Sequence, residues 1–146
     1  MKGLQRRSVH QTQWAAQFAV ASELCKRGHE VALTMGNHPS VDLMVFSPSG
    51  IQFGVDVKGL YTRNFWTVKS KPLRDNLYYV LAFVPTAAAN RYFILSQAEA
   101  DEEIVADTEY RRQRAENEGR IAGEGWTGLA FATAEKYRDA WGKLPA

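Results

Sequence analysis

The chain has one cysteine, Cys25, and three histidines, His10, His29 and His38, scattered among its 146 residues. An internal disulfide is therefore impossible, and the histidine spacing fits no zinc module. There is no long apolar run. The longest apolar stretch, Leu77 to Ala89, is broken by Pro85 and Thr86 and falls short of the roughly 20 residues needed to cross a bilayer. The opening Met1–Ser8 is basic but has no apolar segment behind it, so it does not read as a secretory signal. These absences predict a cytoplasmic protein with no membrane association. A Gly-rich phosphate loop, a nucleophile elbow and a Cys/His pair are also missing, which argues against many small-molecule enzymes.

What is present is 45% hydrophobic and 12% aromatic content, enough for one packed domain over 1–146. The net charge of +2 conceals an uneven distribution. Residues 1–96 carry 11 basic and 5 acidic groups, residues 97–125 carry 4 and 9, and residues 126–146 carry 3 and 2. A basic body suits a polyanion such as nucleic acid, although ordinary solvated lysines and arginines account for the charge equally well.

From Gln11 to Arg27 the positions Trp14, Phe18, Ala21, Leu24 and Cys25 recur at helical spacing and predict a buried stripe, with Gly28 as the stop. A short strand, His29–Thr34, follows. Val41–Phe46 and Ile51–Lys58 then read as a hairpin, Leu77–Val84 and Arg91–Leu95 as two further strands, and Gln97–Gly119 as a charged, solvated helix. A Gly-rich break at 119–128 precedes a short final helix, with Tyr137 and Trp141 one turn apart. This order predicts a compact α/β layer with a mostly mixed or antiparallel sheet.

The chemistry concentrates in the hairpin. Alternation places Gln52, Gly54, Asp56 and Lys58 on one face of the second strand, and Ile51, Phe53, Val55 and Val57 on the other. On the first strand Asp42 shares a face with Met44 and Phe46, opposite Val41, Leu43 and Val45. A three-residue loop, Pro48-Ser49-Gly50, sets Asp42 opposite Asp56; a four-residue loop puts them on opposite faces. The three-residue loop is favoured because it uses Gly50 and keeps the aliphatic residues together. Opposed carboxylates lie about 5 Å apart and repel, so a cation belongs between them, either Lys58 or a divalent metal. The alternative is a surface hairpin with solvated charges, against which Gly54 argues by leaving that face open. Gln17 interrupts the apolar stripe of the helix. It either reaches toward Asp42 and Asp56 or is satisfied by backbone carbonyls.

Asp42, then Asp56-Val57-Lys58, resembles the P-D…(D/E)-x-K signature of the PD-(D/E)XK, or restriction-endonuclease-like, nuclease superfamily, with Val41 in place of the proline. The frame extends through Gln17–Gly28, Thr34–Asn37 and Trp66–Lys69 to Leu77–Val80, and is similar to small stand-alone members related to Holliday-junction resolvases. Many members carry Glu in the opening helix seven residues before the Leu and eleven before the Gly, where this chain has Gln17.

The resemblance implies an α/β, restriction-endonuclease-like core over about 11–95, a central mixed sheet flanked by helices with a helical extension over 97–146, and hydrolysis of DNA phosphodiesters with Mg2+ or Mn2+. Asp42, Asp56 and the Val57 carbonyl would hold the metal, Lys58 would act on the attacking water, and Gln17 would orient a metal-bound water. It leaves a homodimer open. The rivals are a nuclease-like fold that binds nucleic acid without cutting, and an interaction or assembly protein using the sheet edge. Arg63, Trp66, Lys69, Lys71 and Arg74 follow the signature as a basic and aromatic track for nucleic acid, with Trp66 stacking on a base. The other candidate track is the arm carrying Lys2, Arg6 and Arg7, and the plainer reading makes Trp66 part of the core.

Overall fold

A computed structural model of the chain describes residues 6–39, 41–123 and 125–146. In chain order the elements are α1 (Val9–Lys26), β1 (Glu30–Leu33), β2 (Leu43–Phe46), β3 (Gln52–Leu60), β4 (Phe65–Thr67), β5 (Leu77–Phe83), β6 (Arg91–Ser96), α2 (Gln97–Asn117), β7 (Gly128–Ala130) and α3 (Phe131–Ala134). Two 3₁₀ turns, Glu135–Tyr137 and Trp141–Lys143, follow. Five strands form the central sheet in the order β1-β2-β3-β5-β6, while β4 and β7 pair separately. Within the central sheet β3 and β5 run parallel and the other neighbours antiparallel. The expected mixed sheet flanked by helices is therefore present.

α1 begins where Ser8 and Gln11 cap each other: Gln11 N donates to Ser8 Oγ at 3.1 Å, and Ser8 N to Gln11 Oε1 at 2.9 Å. Its buried face is not the expected one. Thr12, Ala16, Gln17, Val20 and Leu24 face the sheet, whereas Trp14 and Phe18 stack on each other, with Phe18 and Cys25 exposed. The reason is a close approach to β3. A Cβ added at Gly59 would lie only 2.7 Å from the Ala16 Cβ and 3.1 Å from the Thr12 carbonyl oxygen, so the contact stripe requires small side chains where the helix meets the strand.

The hairpin adopts the three-residue loop. Ser47 N donates to Ile51 O at 2.9 Å and Gly50 N to Ser47 O at 2.8 Å, with Gly50 at φ 89°. Leu43 faces Val55 and Val45 faces Phe53, a register that continues to Asp42 opposite Asp56.

Each side of the central sheet carries its own core. On the α1 side lie Val20, Leu24, Leu43, Phe53, Val55 and Val80; on the other lie Trp66, Tyr79, Leu81, Phe93, Ile104 and Phe131. α2 contributes Ala100, Ile104 and Ala115 to burial and otherwise carries exposed ion pairs such as Arg112 with Glu109. The expected final helix is instead α3 and the two 3₁₀ turns. Tyr137 joins the core beneath α2, while Trp141 packs against the α1-side core, so opposite sides of the sheet draw the two rings apart and break a continuous helix.

Candidate active site where the hairpin strands part

β2 starts only at Leu43, opposite Val55, while β3 continues to Leu60, which leaves a stretch of β3 edge without a neighbouring strand on the β2 side. Asp42 N still donates to Val55 O at 3.0 Å. Side chains serve the next peptide group on that edge. Val57 N donates to Asp42 Oδ2 at 2.8 Å, and Gln13 Nε2 donates to Val57 O at 2.7 Å. These bonds satisfy backbone groups that a departing strand would strand unpaired. Gln17 Nε2 makes a long contact, 3.4 Å, with Asp42 Oδ1. Burial holds the Asp42 carboxyl above its ordinary 3.8 and the nearby charge of Asp56 adds to this, while the Val57 N–H, Lys58 and Lys71 oppose it.

Asp56 is buried, with its side chain 4% exposed. Lys71 Nζ donates to its Oδ2 at 2.6 Å. Lys58 Nζ forms an ion pair with Asp56 Oδ1 at 3.1 Å. Beside Asp56 in the sheet stands Tyr79, its hydroxyl pushed up to about 12 by burial first and then by the charges of Asp56 and Asp101. Lys71 Nζ stands 5.8 Å from the Tyr79 ring centre.

Asp42, Asp56, Lys58 and Gln17 thus meet at one end of the hairpin, and Gln17 reaches Asp42 rather than Asp56. The Val57 carbonyl is present as well, but Gln13 already donates to it. Lys71, expected on a nucleic-acid track, is instead the direct partner of Asp56. Trp66 is 1% exposed, packed between Phe93 and Phe131 with its indole N–H donating to Ala82 O at 3.4 Å; its ring cannot stack on a base. Of the remaining track, Arg63 and Arg74 are exposed, with the Arg63 guanidinium 4.5 Å from the Phe131 ring centre, and Lys69 is exposed too. The open face expected above Gly54 is occupied. Because β2 begins only at Leu43, Val41 escapes the strand alternation and lays both methyls over Gly54, 3.1 Å from where a Cβ would stand.

Gln13 was not expected at the site, and Lys71 was expected only on the nucleic-acid track, not as a partner of Asp56. Gln13 carries a signal, lying four residues before Gln17 on the same helical face. Lys71 carries none, because only the path of the chain between β3 and β5 delivers it to Asp56. Lys2 lies outside the described residues.

Among the described residues no three or more His, Cys, Asp or Glu side chains gather into a group that could hold a metal. The two aspartates and the Val57 carbonyl are nonetheless hard oxygen donors of the kind Mg2+ takes while keeping several waters. The donor set fits a single divalent cation, with Lys58 and Lys71 competing for the two oxygens of Asp56. Comparison with protein-family models, curated proteins and solved structures gives no match to this chain. No helix among the described residues is long and apolar enough to cross a membrane.

Proposed function

We propose that the chain is a metal-dependent endonuclease of the PD-(D/E)XK type that hydrolyses DNA phosphodiester bonds. The observation that carries this reading is the meeting of Asp42, the buried Asp56 and Lys58 where β2 leaves β3, with Lys58 Nζ 3.1 Å from Asp56 Oδ1. Asp42, Asp56 and the Val57 carbonyl are the residues to hold Mg2+ or Mn2+. When bound, such an ion stabilises negative charge on a phosphate and acidifies water. Lys58, half-exposed at the rim, orients the attacking water and offsets charge developing on the phosphate. Gln17 fixes the Asp42 carboxylate through its amide, and Gln13 holds the Val57 peptide in place.

A second reading, a nuclease-like fold that binds nucleic acid without cutting, is favoured by the pairing of Asp56 with both Lys58 and Lys71, which neutralises the carboxylate with no metal. Plasmid cleavage in Mg2+ and in EDTA tests the choice. Asp56→Asn and Lys58→Ala should each lower cleavage by at least about a hundredfold while the proteins remain folded. Equal cleavage by wild type and both variants ends the nuclease reading, and DNA binding without cleavage by folded wild type establishes the second.

A further inference from the structure

A cavity of about 390 Å³ opens beside Lys58, between the start of α1 and the chain that joins β3 to β4. Its wall includes Arg6, Arg7, Lys58, Tyr61, Asn64 and Phe65, and no carboxylate lines it. The volume falls within the range of about 300–1,000 Å³ typical of small-ligand sites and cannot admit a stacked duplex. Tyr61 and Phe65 are half-buried, which leaves part of each ring facing the cavity. The Arg7 guanidinium already lies 5.0 Å from the Tyr61 ring centre and donates to Thr86 Oγ1 at 2.9 Å, so a planar cationic group reaches that ring and is anchored from behind. Asn64 offers an amide that both donates and accepts. Lys58 belongs to this wall and to the Asp56 site at once.

We infer that this cavity receives one unpaired nucleotide of a DNA strand, its base against Tyr61 and its phosphates along Arg6, Arg7 and Lys58. The inference rests on the hydrolytic reading only for the location of the neighbouring phosphate. Base–aromatic stacking is tolerant of sequence, and the arginines supply the polyanion contact. A base within a duplex has to leave its stack to enter, so single-stranded DNA, or DNA with an unpaired position, is the favoured class of substrate.

The test uses the full chain in EDTA, so that neither metal nor cleavage contributes, with a short single-stranded DNA oligonucleotide carrying 2-aminopurine and its fully paired duplex. The single strand should bind at least about tenfold tighter than the duplex, with quenching of the 2-aminopurine emission. Tyr61→Leu should weaken binding roughly 5- to 150-fold and remove the quenching, the range observed for losing one base–aromatic stack. Arg7→Gln, at a half-buried surface position whose guanidinium donates to Thr86 and lies over the Tyr61 ring, should lower the slope of log affinity against log salt by about 0.7, one phosphate contact on a single strand. Equal binding of single strand and duplex, or quenching that survives Tyr61→Leu in a folded variant, overturns the inference. Metal-dependent cleavage without quenching would remove the cavity's role and leave hydrolysis standing; quenching without cleavage would do the reverse.

Discussion

Lys71→Met deletes the 2.6 Å ion pair with Asp56 while keeping an unbranched side chain of similar length. Removing one partner of a fully buried pair costs about 3–5 kcal/mol because it leaves an uncompensated charge. Here two features reduce the loss. Lys58 remains 3.1 Å from the other oxygen, and Lys71 is itself 25% exposed, so water reaches the vacated side. The remaining cost is that of a charge-assisted hydrogen bond, about 1.5–3 kcal/mol, or a fall in Tm of roughly 3–12 °C for a chain of this size. Chemical denaturation of the wild type, Lys71→Met, Asp56→Asn and the double variant measures it. In the Asp56→Asn background the lysine change should cost less than about 0.5 kcal/mol, since the charge it answers is gone. The freed Oδ2 should also raise Mg2+ affinity in calorimetry, and Mg2+ at about 100 times its dissociation constant should restore roughly 2.7 kcal/mol. Unchanged stability in Lys71→Met, or the same loss in both backgrounds, would refute the pairing as the cause.

Gln17→Glu sets a carboxylate where an amide now contacts Asp42 at 3.4 Å; its Tm should fall in EDTA and recover with Mg2+, and a loss that Mg2+ does not reverse would argue against an ion between the acids. For Asp42 the sign follows from burial. A carboxyl whose pKa is raised on folding contributes stability in its protonated form, and that contribution is lost as pH climbs through the raised value. Asp42→Asn, which can still accept from Val57 N, should therefore gain on wild type as pH rises from about 4 to 7 in urea titrations; a gap that shrinks over this range contradicts the assignment. Trp66→Ala should cost about 3–5 kcal/mol from the lost core volume, measured as a lower urea midpoint; unchanged stability would contradict its place in the core.

The hairpin and its register were legible because two local signals agree: alternation in Phe53, Val55 and Val57, and a glycine at the loop position that needs positive φ. The bounds of α1 and α2 were legible for similar reasons, although the buried side of α1 was misjudged. Trp14 and Phe18 outweigh Ala16 in any count of apolar character, and only the tertiary contact at Gly59 makes the smaller residue the one that faces the sheet. The acids and Lys58 could be found in the sequence since they share one strand pair. Lys71 and Trp66 could not be placed, because their positions depend on β4, three residues long, pairing with β7 far along the chain. Val41 failed by one step of alternation, at a strand end where no periodicity applies.

The connection from β3 to β5 joins parallel strands through residues 61–76 with no helix in it, whereas such crossovers are usually built on one. A helix forms early and shortens the distance its chain must search; an extended connection pays the full entropy of closing its loop before any strand contact rewards it. Pairing of β3 with β5 therefore carries a larger loop-closure cost than the local β2–β3 hairpin. Lys71 sits on that connection, so its ion pair with Asp56 depends on the long-range pairing. Asp42, Asp56 and Lys58 depend only on the short hairpin, which makes the second lysine's ion pair a reporter of the complete sheet and the first group a reporter of the hairpin alone.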